Sequence, residues 1–276
     1  MRATGWTDER SRPGKVGGGV LWVVAAVVVL AVAAWQRMSD TTRPTQGEVV
    51  VSGQTMTYRL LRVGPSGEPI RVTIAAPEDV SGNLRWRPYP GEGAFESFTM
   101  LRDGDHVVGF LPAQSPGTQI EYSLVLAGPS GLTRIPDESS VVLHVRGPVP
   151  GLVLFPHVAI LLLSMVVGVR AGLGAAWALP DTGRLSKLTL LGLTVGGMIL
   201  GPIVLKLAAG SFWTGWPFGG DWRANSAVVM WLVWVVAALA AHAAQDRTDR
   251  FARTTVIGAA LVMILVSLVP RGLYSF

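Results

Sequence analysis

The chain has 276 residues, half of them hydrophobic and 15% charged, with a net charge of +5 and no cysteine. A soluble domain carries about a quarter of its residues as charge, so the deficit and the long apolar runs point to a membrane protein and away from a nucleic-acid binder. The missing cysteines exclude disulfides, thiolate metal sites, covalently attached c-type haem and a cysteine nucleophile.

In chain order, a basic tail (residues 1–19) with Arg2, Arg10, Arg12 and Lys15 precedes the first apolar run, Val20 to Trp35. Residues 20–36 read as a transmembrane anchor, close to the roughly 17–25 residues that cross about 30 Å of hydrocarbon as a helix. Ala31-Val32-Ala33 before Ala34 also fits a cleavable signal peptide. The run is long for a signal core, and Trp22 and Trp35 bracket it like an interfacial belt, so a retained anchor is expected.

From residue 47 to 147 the pattern changes to short alternating stretches. Strands are expected at Met56–Val63, Ile70–Ala75, Gly82–Arg87, Phe95–Leu101, His106–Leu111, Gln119–Ala127, Leu132–Ile135 and Val141–Arg146. Gly and Pro punctuate them, and Asp103-Gly104 reads as a hairpin turn. Seven or eight short strands in about 100 residues predict an all-β sandwich of the immunoglobulin or fibronectin III-like kind, with Trp86 in its core.

Residues 152–270 hold four further apolar runs: Val153 to Val169, Leu188 to Ala209, Ala227 to Ala244 and Thr255 to Val269. Arg170, Arg184 and Lys187 follow the second span, and Arg247, Arg250 and Arg253 lie between the fourth and fifth. With the N-terminal tail these favour an N-terminus inside, the β-domain outside, and the loop 211–224 and the tail from Arg271 to Phe276 outside as well. The expected fold class is thus a membrane α-helical bundle of about five transmembrane helices plus the β-sandwich, in a bacterial inner membrane.

Phe212, Trp213, Trp216, Phe218 and Trp222 crowd the outer loop among glycines, which suits a loop lying in the headgroup region or dipping slightly below it. A docking surface for the sandwich or for a partner subunit, and a ligand pocket, are the other readings. Trp231 and Trp234 share a face deep in the fourth span, for helix packing or for a flat apolar cofactor. Gly192, Gly196, Gly197 and Gly201 have the small-xxx-small spacing that admits another helix, and Pro202 is expected to kink the third span. Lys206 is near enough to the outer face to snorkel.

His157 lies at the outer end of the second span and His242 at the inner end of the fourth, so they cannot share one haem within a protomer. Single-histidine ligation leaves His157 as a candidate ligand-binding residue. Asp103, Asp105 and His106 read as a solvated hairpin turn rather than a metal or catalytic group. No phosphate loop, dinucleotide fingerprint, HExxH or G-x-S-x-G motif occurs, and no Asp or Glu lies inside the five runs, which disfavours ion-coupled transport.

Gly147-Pro148-Val149-Pro150, Phe155-Pro156-His157 and Arg170-Ala171-Gly172-Leu173 form one set of recognisable motifs. Gly201-Pro202-Ile203-Val204 and the run from Phe212 to Asp221 form another. Together they resemble a family of bacterial multi-pass membrane proteins with an external Ig or fibronectin-like domain and a Trp-rich FWTGxPFGxD loop. In that family the loop continues as Asp-x-Thr-Asp-Asn-Lys. Here Asp221 and Asn225 remain, while the second acid and the lysine are replaced. The resemblance implies the architecture and assigns no catalytic residue.

The expected function is a non-catalytic membrane accessory or scaffold protein. Its external domain and Gly/Trp-rich helices would dock other membrane or extracytoplasmic subunits, as in a respiratory or photosynthetic complex, alongside membrane lipid and without nucleic acid. No metal and no resident cofactor is expected, with a haem, quinone or pigment contact left open as the redox or pigment-binding alternative. A third reading is an envelope or lipid-processing enzyme at the aromatic loop, with Asp221 and Arg223 as its polar groups.

Overall fold

The structure, a computed structural model, describes residues 18–40, 42–137, 139–244, 246 and 248–270. Arg2, Arg10, Arg12, Lys15, Arg247 and the tail from Arg271 to Phe276 lie outside the described residues. The chain divides into two compact units: Met1–Ser39, Phe155–Leu200 and Gly220–Phe276 form one, and Asp40–Leu154 with Gly201–Gly219 the other.

Five helices are long and apolar enough to cross a membrane: α1 (Gly18–Met38), α2 (Gly151–Ala176), α3 (Thr182–Ala209), α4 (Trp222–Ala243) and α5 (Arg250–Leu268). The chain is therefore read as a membrane protein. Several helices outrun their apolar segments because their ends are polar. α2 continues past Val169 through Arg170. α4 begins ahead of Ala227 because the Asp221 carboxylate accepts the Arg223 N–H at 2.9 Å, and α5 begins at Arg250 because Asp249 accepts the Ala252 N–H at 3.0 Å.

In the helical unit, α1 buries Leu21, Ala25, Val29 and Val32, a stripe at helical spacing. Its Trp35 Nε1 donates to the Leu268 carbonyl and its Gln36 Nε2 to that of Ser267, both at 2.8 Å, pairing carbonyls at the end of α5. Small residues (Ala171, Ala175, Ala237, Ala259, Ala260) fill the interior, with Trp234 and Met263 as its large members. Within α3, Thr194–Leu200 is π-helical. Pro202 lacks the N–H that an α-helix would give the Met198 carbonyl, and its ring crowds that oxygen. The turn and a half before Pro202 takes the wider π register, with Gly196 and Gly197 buried in it.

The strands of the other unit are β1 (Thr45–Val51), β2 (Gln54–Leu60), β3 (Val63–Pro65), β4 (Ile70–Ala75), β5 (Ser81–Pro88), β6 (Glu96–Thr99), β7 (Leu101–Asp103), β8 (His106–Leu111), β9 (Gln119–Gly128), β10 (Gly131–Ile135) and β11 (Val141–Arg146). Their pairing overturns the immunoglobulin or fibronectin III-like sandwich. Three separate sheets form instead: β1-β2, a six-stranded sheet in the order β3-β11-β9-β5-β6 with β10 also on β9, and β4-β8-β7. β3 runs parallel to β11.

The physical reason is that even spacing reports how many strands exist but not which edges they share. The stretch expected as one strand, Phe95–Leu101, breaks at Met100. That side chain is buried and its N–H donates to the Gly82 carbonyl at 2.8 Å, so β6 pairs with β5 while β7 pairs with β8. β1 was not expected from the pattern. It folds onto β2 through a two-residue turn, Ser52-Gly53, with both φ values positive (53° and 77°), the backbone a tight hairpin needs.

Each main strand buries alternate residues into one shared core. Ile70, Val72 and Ile74 come from β4, Leu84 and Trp86 from β5, Ile120, Tyr122, Leu124 and Leu126 from β9, and Val141, Leu143 and Val145 from β11. Tyr122 is fully buried, and its hydroxyl donates to the Leu61 carbonyl at 2.8 Å. Burial pushes its ionisation far above the ordinary tyrosine value, against the smaller opposing effects of that hydrogen bond and of Arg62.

The same unit contains the last turns of α3. The Gly147 N–H donates to the Ala208 carbonyl at 2.9 Å. A Cβ at Gly147 would collide with the Leu207 carbonyl oxygen, one at Gly117 with that of Ala209, and one at Gly210 would lie 3.1 Å from that of Pro116. Two chain segments at the base of the β-domain thus sit directly on backbone at the end of α3, which only glycine permits.

Candidate functional site

The aromatic loop leaves α3 at Gly210, which takes a left-handed φ of 74°, and ends at the Asp221 cap of α4. Between these points several polar groups of the loop pair with one another. The Ser211 hydroxyl donates to the Trp213 carbonyl at 2.9 Å, and Trp213 Nε1 donates to the Trp216 carbonyl at 3.1 Å. The N–H groups of Phe218 and Gly219 both donate to the Gly215 carbonyl at 2.9 Å. Lys206 Nζ donates to the Gly210 carbonyl at 2.7 Å and lies 5.5 Å from the centre of the Phe212 ring.

Around these contacts the loop leaves large side chains exposed. Phe212 is 60% exposed, Trp216 79% and Phe218 82%, while Trp213 is half-buried. Trp222, the fifth expected member, is the first residue of α4 and is half-buried. Asp221 accepts from both the Arg223 N–H and, at 3.5 Å, its Nε, so it works as a helix cap.

Inside the helical unit the expected packing residues meet partners within the chain. A Cβ at Gly192 would collide with the Ser164 hydroxyl of α2, and one at Gly196 would lie 3.1 Å from Ile160 Cγ2. Gly197 is buried with ordinary room beside Leu161, and Gly201 is half-buried at the end of the π segment. Trp234 is fully buried, and a Cβ on Gly168 would fall 2.9 Å from its ring. The face expected to receive partner helices or a flat cofactor at Gly192, Gly196 and Trp234 is filled from within.

Two polar side chains meet the π segment. Trp231 Nε1 donates to the Thr194 hydroxyl at 2.9 Å, and that hydroxyl donates to the Leu190 carbonyl at 2.8 Å. His157 Nδ1 lies 2.9 Å from the Gly196 carbonyl. A carbonyl only accepts, so in this contact Nδ1 carries a proton and donates it. His157 thus adds a side-chain contact to a backbone carbonyl of the π segment. His242 is elsewhere, 3.1 Å from Lys187 Nζ.

Sequence reasoning treated Arg170 only as a charge flanking a span, whereas the structure buries it to 3% exposure. Its Nη2 donates to Asp181 at 2.9 Å, and the guanidinium lies 5.7 Å from the Trp22 ring centre. Gly174 makes room for it, since a Cβ there would lie 2.8 Å from Nη1. Arg253 Nε and Nη2 donate to the carbonyls of Ala175 and Ala176 at 2.7 and 2.9 Å, closing the end of α2.

In the β-domain, Asp103 at the hairpin tip pairs with Arg71 of β4 at 2.8 Å, and His106 Nδ1 lies 2.5 Å from Asp105; both carboxylates and Arg71 are exposed and His106 is half-buried. Arg87 pairs with Glu121 across β5 and β9, and its guanidinium lies 4.4 Å from the Phe95 ring centre. Among the described residues no group of three or more His, Asp or Glu side chains is placed to hold a metal ion.

Neither the protein-family models nor the curated proteins compared with the chain give a match.

Proposed function

We propose that this chain is a non-catalytic accessory protein of a bacterial inner membrane. Its N-terminus would lie inside and its β-domain outside, docking an extended segment of another extracytoplasmic polypeptide. An accessory subunit of a respiratory or photosynthetic complex is one concrete form. The observation that carries the reading is the edge formed by β6 and β7. Every residue of both strands is exposed, β6 ends the six-stranded sheet and β7 ends the three-stranded one, and Phe98 and Leu101 stand out from them (Leu101 is 66% exposed). An edge with unpaired N–H and C=O groups and apolar side chains is a template for an added strand. The docking of Trp35 and Gln36 on the end of α5 supports retention of α1 as an anchor.

The test is photo-crosslinking in native membranes from an unnatural residue at Phe98 or Leu101, with Leu132 on β10 as the comparison site. A discrete adduct confined to the β6–β7 positions is expected. If neither position gives an adduct and the chain purifies in mild detergent as a monodisperse monomer, the reading fails.

The His157 geometry favours one second reading, a redox or pigment-binding protein. A proton fixed on Nδ1 by a backbone carbonyl is the arrangement that presents Nε2 to a metal. A visible spectrum of protein purified from its native membrane tests it, and a colourless preparation with no extractable quinone removes it.

A further inference from the structure

We infer that the aromatic loop is a bilayer-inserting wedge, with Phe212, Trp216 and Phe218 in the interfacial and upper acyl region of a phospholipid membrane, and that it holds the base of the β-domain down against the lipid surface. The inference rests on the chain spanning a bilayer, not on the docked polypeptide proposed above.

Four observations carry it. The loop joins two helices that are each long enough to cross a membrane, and Phe212 is only three residues beyond Ala209. At no more than ~3.6 Å per residue this keeps Phe212 within roughly 11 Å of the end of α3. The loop also pairs its own carbonyls: those of Gly210, Trp213, Gly215 and Trp216 all accept hydrogen bonds from within the loop or from Lys206. Irregular backbone enters a water-poor layer only when such groups are satisfied. Three large aromatic side chains are nonetheless exposed, so the β-domain does not cover them although it belongs to the same compact unit.

The fourth observation is the seat. Gly147 and Gly117 sit on the carbonyls of Leu207, Ala208 and Ala209, immediately before the loop. Loop, seat and β-domain base all belong to one compact unit. Lys206 sits one helical turn back from Gly210, its head paired with the loop and its stem free to lie along apolar surface, as a snorkelling cation does. A protein partner is disfavoured because exposed aromatics on a loop tethered this close to two spans meet lipid before anything else.

The chain has no cysteine, so a single nitroxide label can be placed in the full protein. Phe218→Cys and, separately, Trp216→Cys would be labelled and reconstituted in nanodiscs of phosphatidylcholine with phosphatidylglycerol, with Leu132→Cys as the aqueous reference. The expected result is a several-fold higher ratio of oxygen to nickel-chelate accessibility at both loop positions than at Leu132. Nickel-chelate access equal to that at Leu132 would place the loop in water and overturn the inference. A label screened from both reagents would overturn it in favour of protein contact. Two loop positions guard against one variant misfolding, and adducts at Phe98 or Leu101 are read separately, so this inference and the docking proposal fail independently.

Discussion

The amide of Gly147 and the carbonyl of Ala208 are joined by a 2.9 Å hydrogen bond between the strand end of the β-domain and the last turn of α3. Because neighbouring backbone leaves no space for a Cβ, this contact depends on glycine in a way that packing of side chains would not.

Gly147→Ala and Gly117→Ala are therefore expected to lower unfolding stability by about 1–3 kcal/mol each, the range for overpacking a closed site. Gly93→Ala, where nothing lies within 4 Å of the added carbon, is the control and is expected to be close to neutral. Chemical denaturation in detergent, followed by circular dichroism in the β region, measures the difference.

Tyr122 gives the β-domain a pH dependence with a definite sign. Its folded ionisation is pushed up by burial, so above the ordinary tyrosine value near 10 the unfolded chain releases a proton that the folded chain keeps. Stability from this group is fully present below that pH and falls as pH rises past it. Tyr122→Phe should remove the alkaline loss while costing about 1–2 kcal/mol at neutral pH, since the buried Leu61 carbonyl then has no hydroxyl donor. Thermal melts at pH values on both sides of 10, for both proteins, test this.

Trp231 and Thr194 act as one pair inside the helical unit. Trp231→Phe and Thr194→Val should each destabilise by roughly 0.5–2 kcal/mol, and the double variant by less than their sum. Strictly additive losses in a denaturation series would show that the hydrogen bond contributes nothing.

Asp181→Asn leaves the buried Arg170 guanidinium without its counter-charge. Because Asp181 is itself 41% exposed, the cost should be on the order of 2–3 kcal/mol rather than that of a fully buried pair. Arg170→Gln combined with Asp181→Asn should recover part of the loss, read by thermal unfolding in detergent.

The membrane helices were legible in the sequence because a span needs only length and apolarity, and every run falls on one helix. Their ends were less so: Arg170 lies inside α2 because Asp181 and Trp22 accommodate it, which no local window reveals. The stretches named as strands all contain strands, since alternation is a local signal. The arrangement into a sandwich failed because pairing is decided at a distance, as at Met100, where one strand divides between two sheets. β1 was overlooked although Ser52-Gly53 marks its turn. At the loop, composition singled out Phe212, Trp213, Trp216 and Phe218, but not the hydrogen-bonded carbonyls or the glycine seat beside them. Nothing local to Gly117 and Gly147 marks the backbone they sit on, because that backbone is about 60 to 90 residues further along the chain.

The arginines at the ends of α2 and α5 have a consequence for genetics. Topology is commonly probed by shifting positive charge from one side of a membrane protein to the other. Here Arg170 and Arg253 are also fasteners, one tied to Asp181 and the other to the final carbonyls of α2. Relocating either would loosen the assembly and alter the insertion signal at once, so a misrouted product could not be told from a collapsed one. Arg184, which is exposed, is the position at which charge can be moved and the insertion signal read by itself.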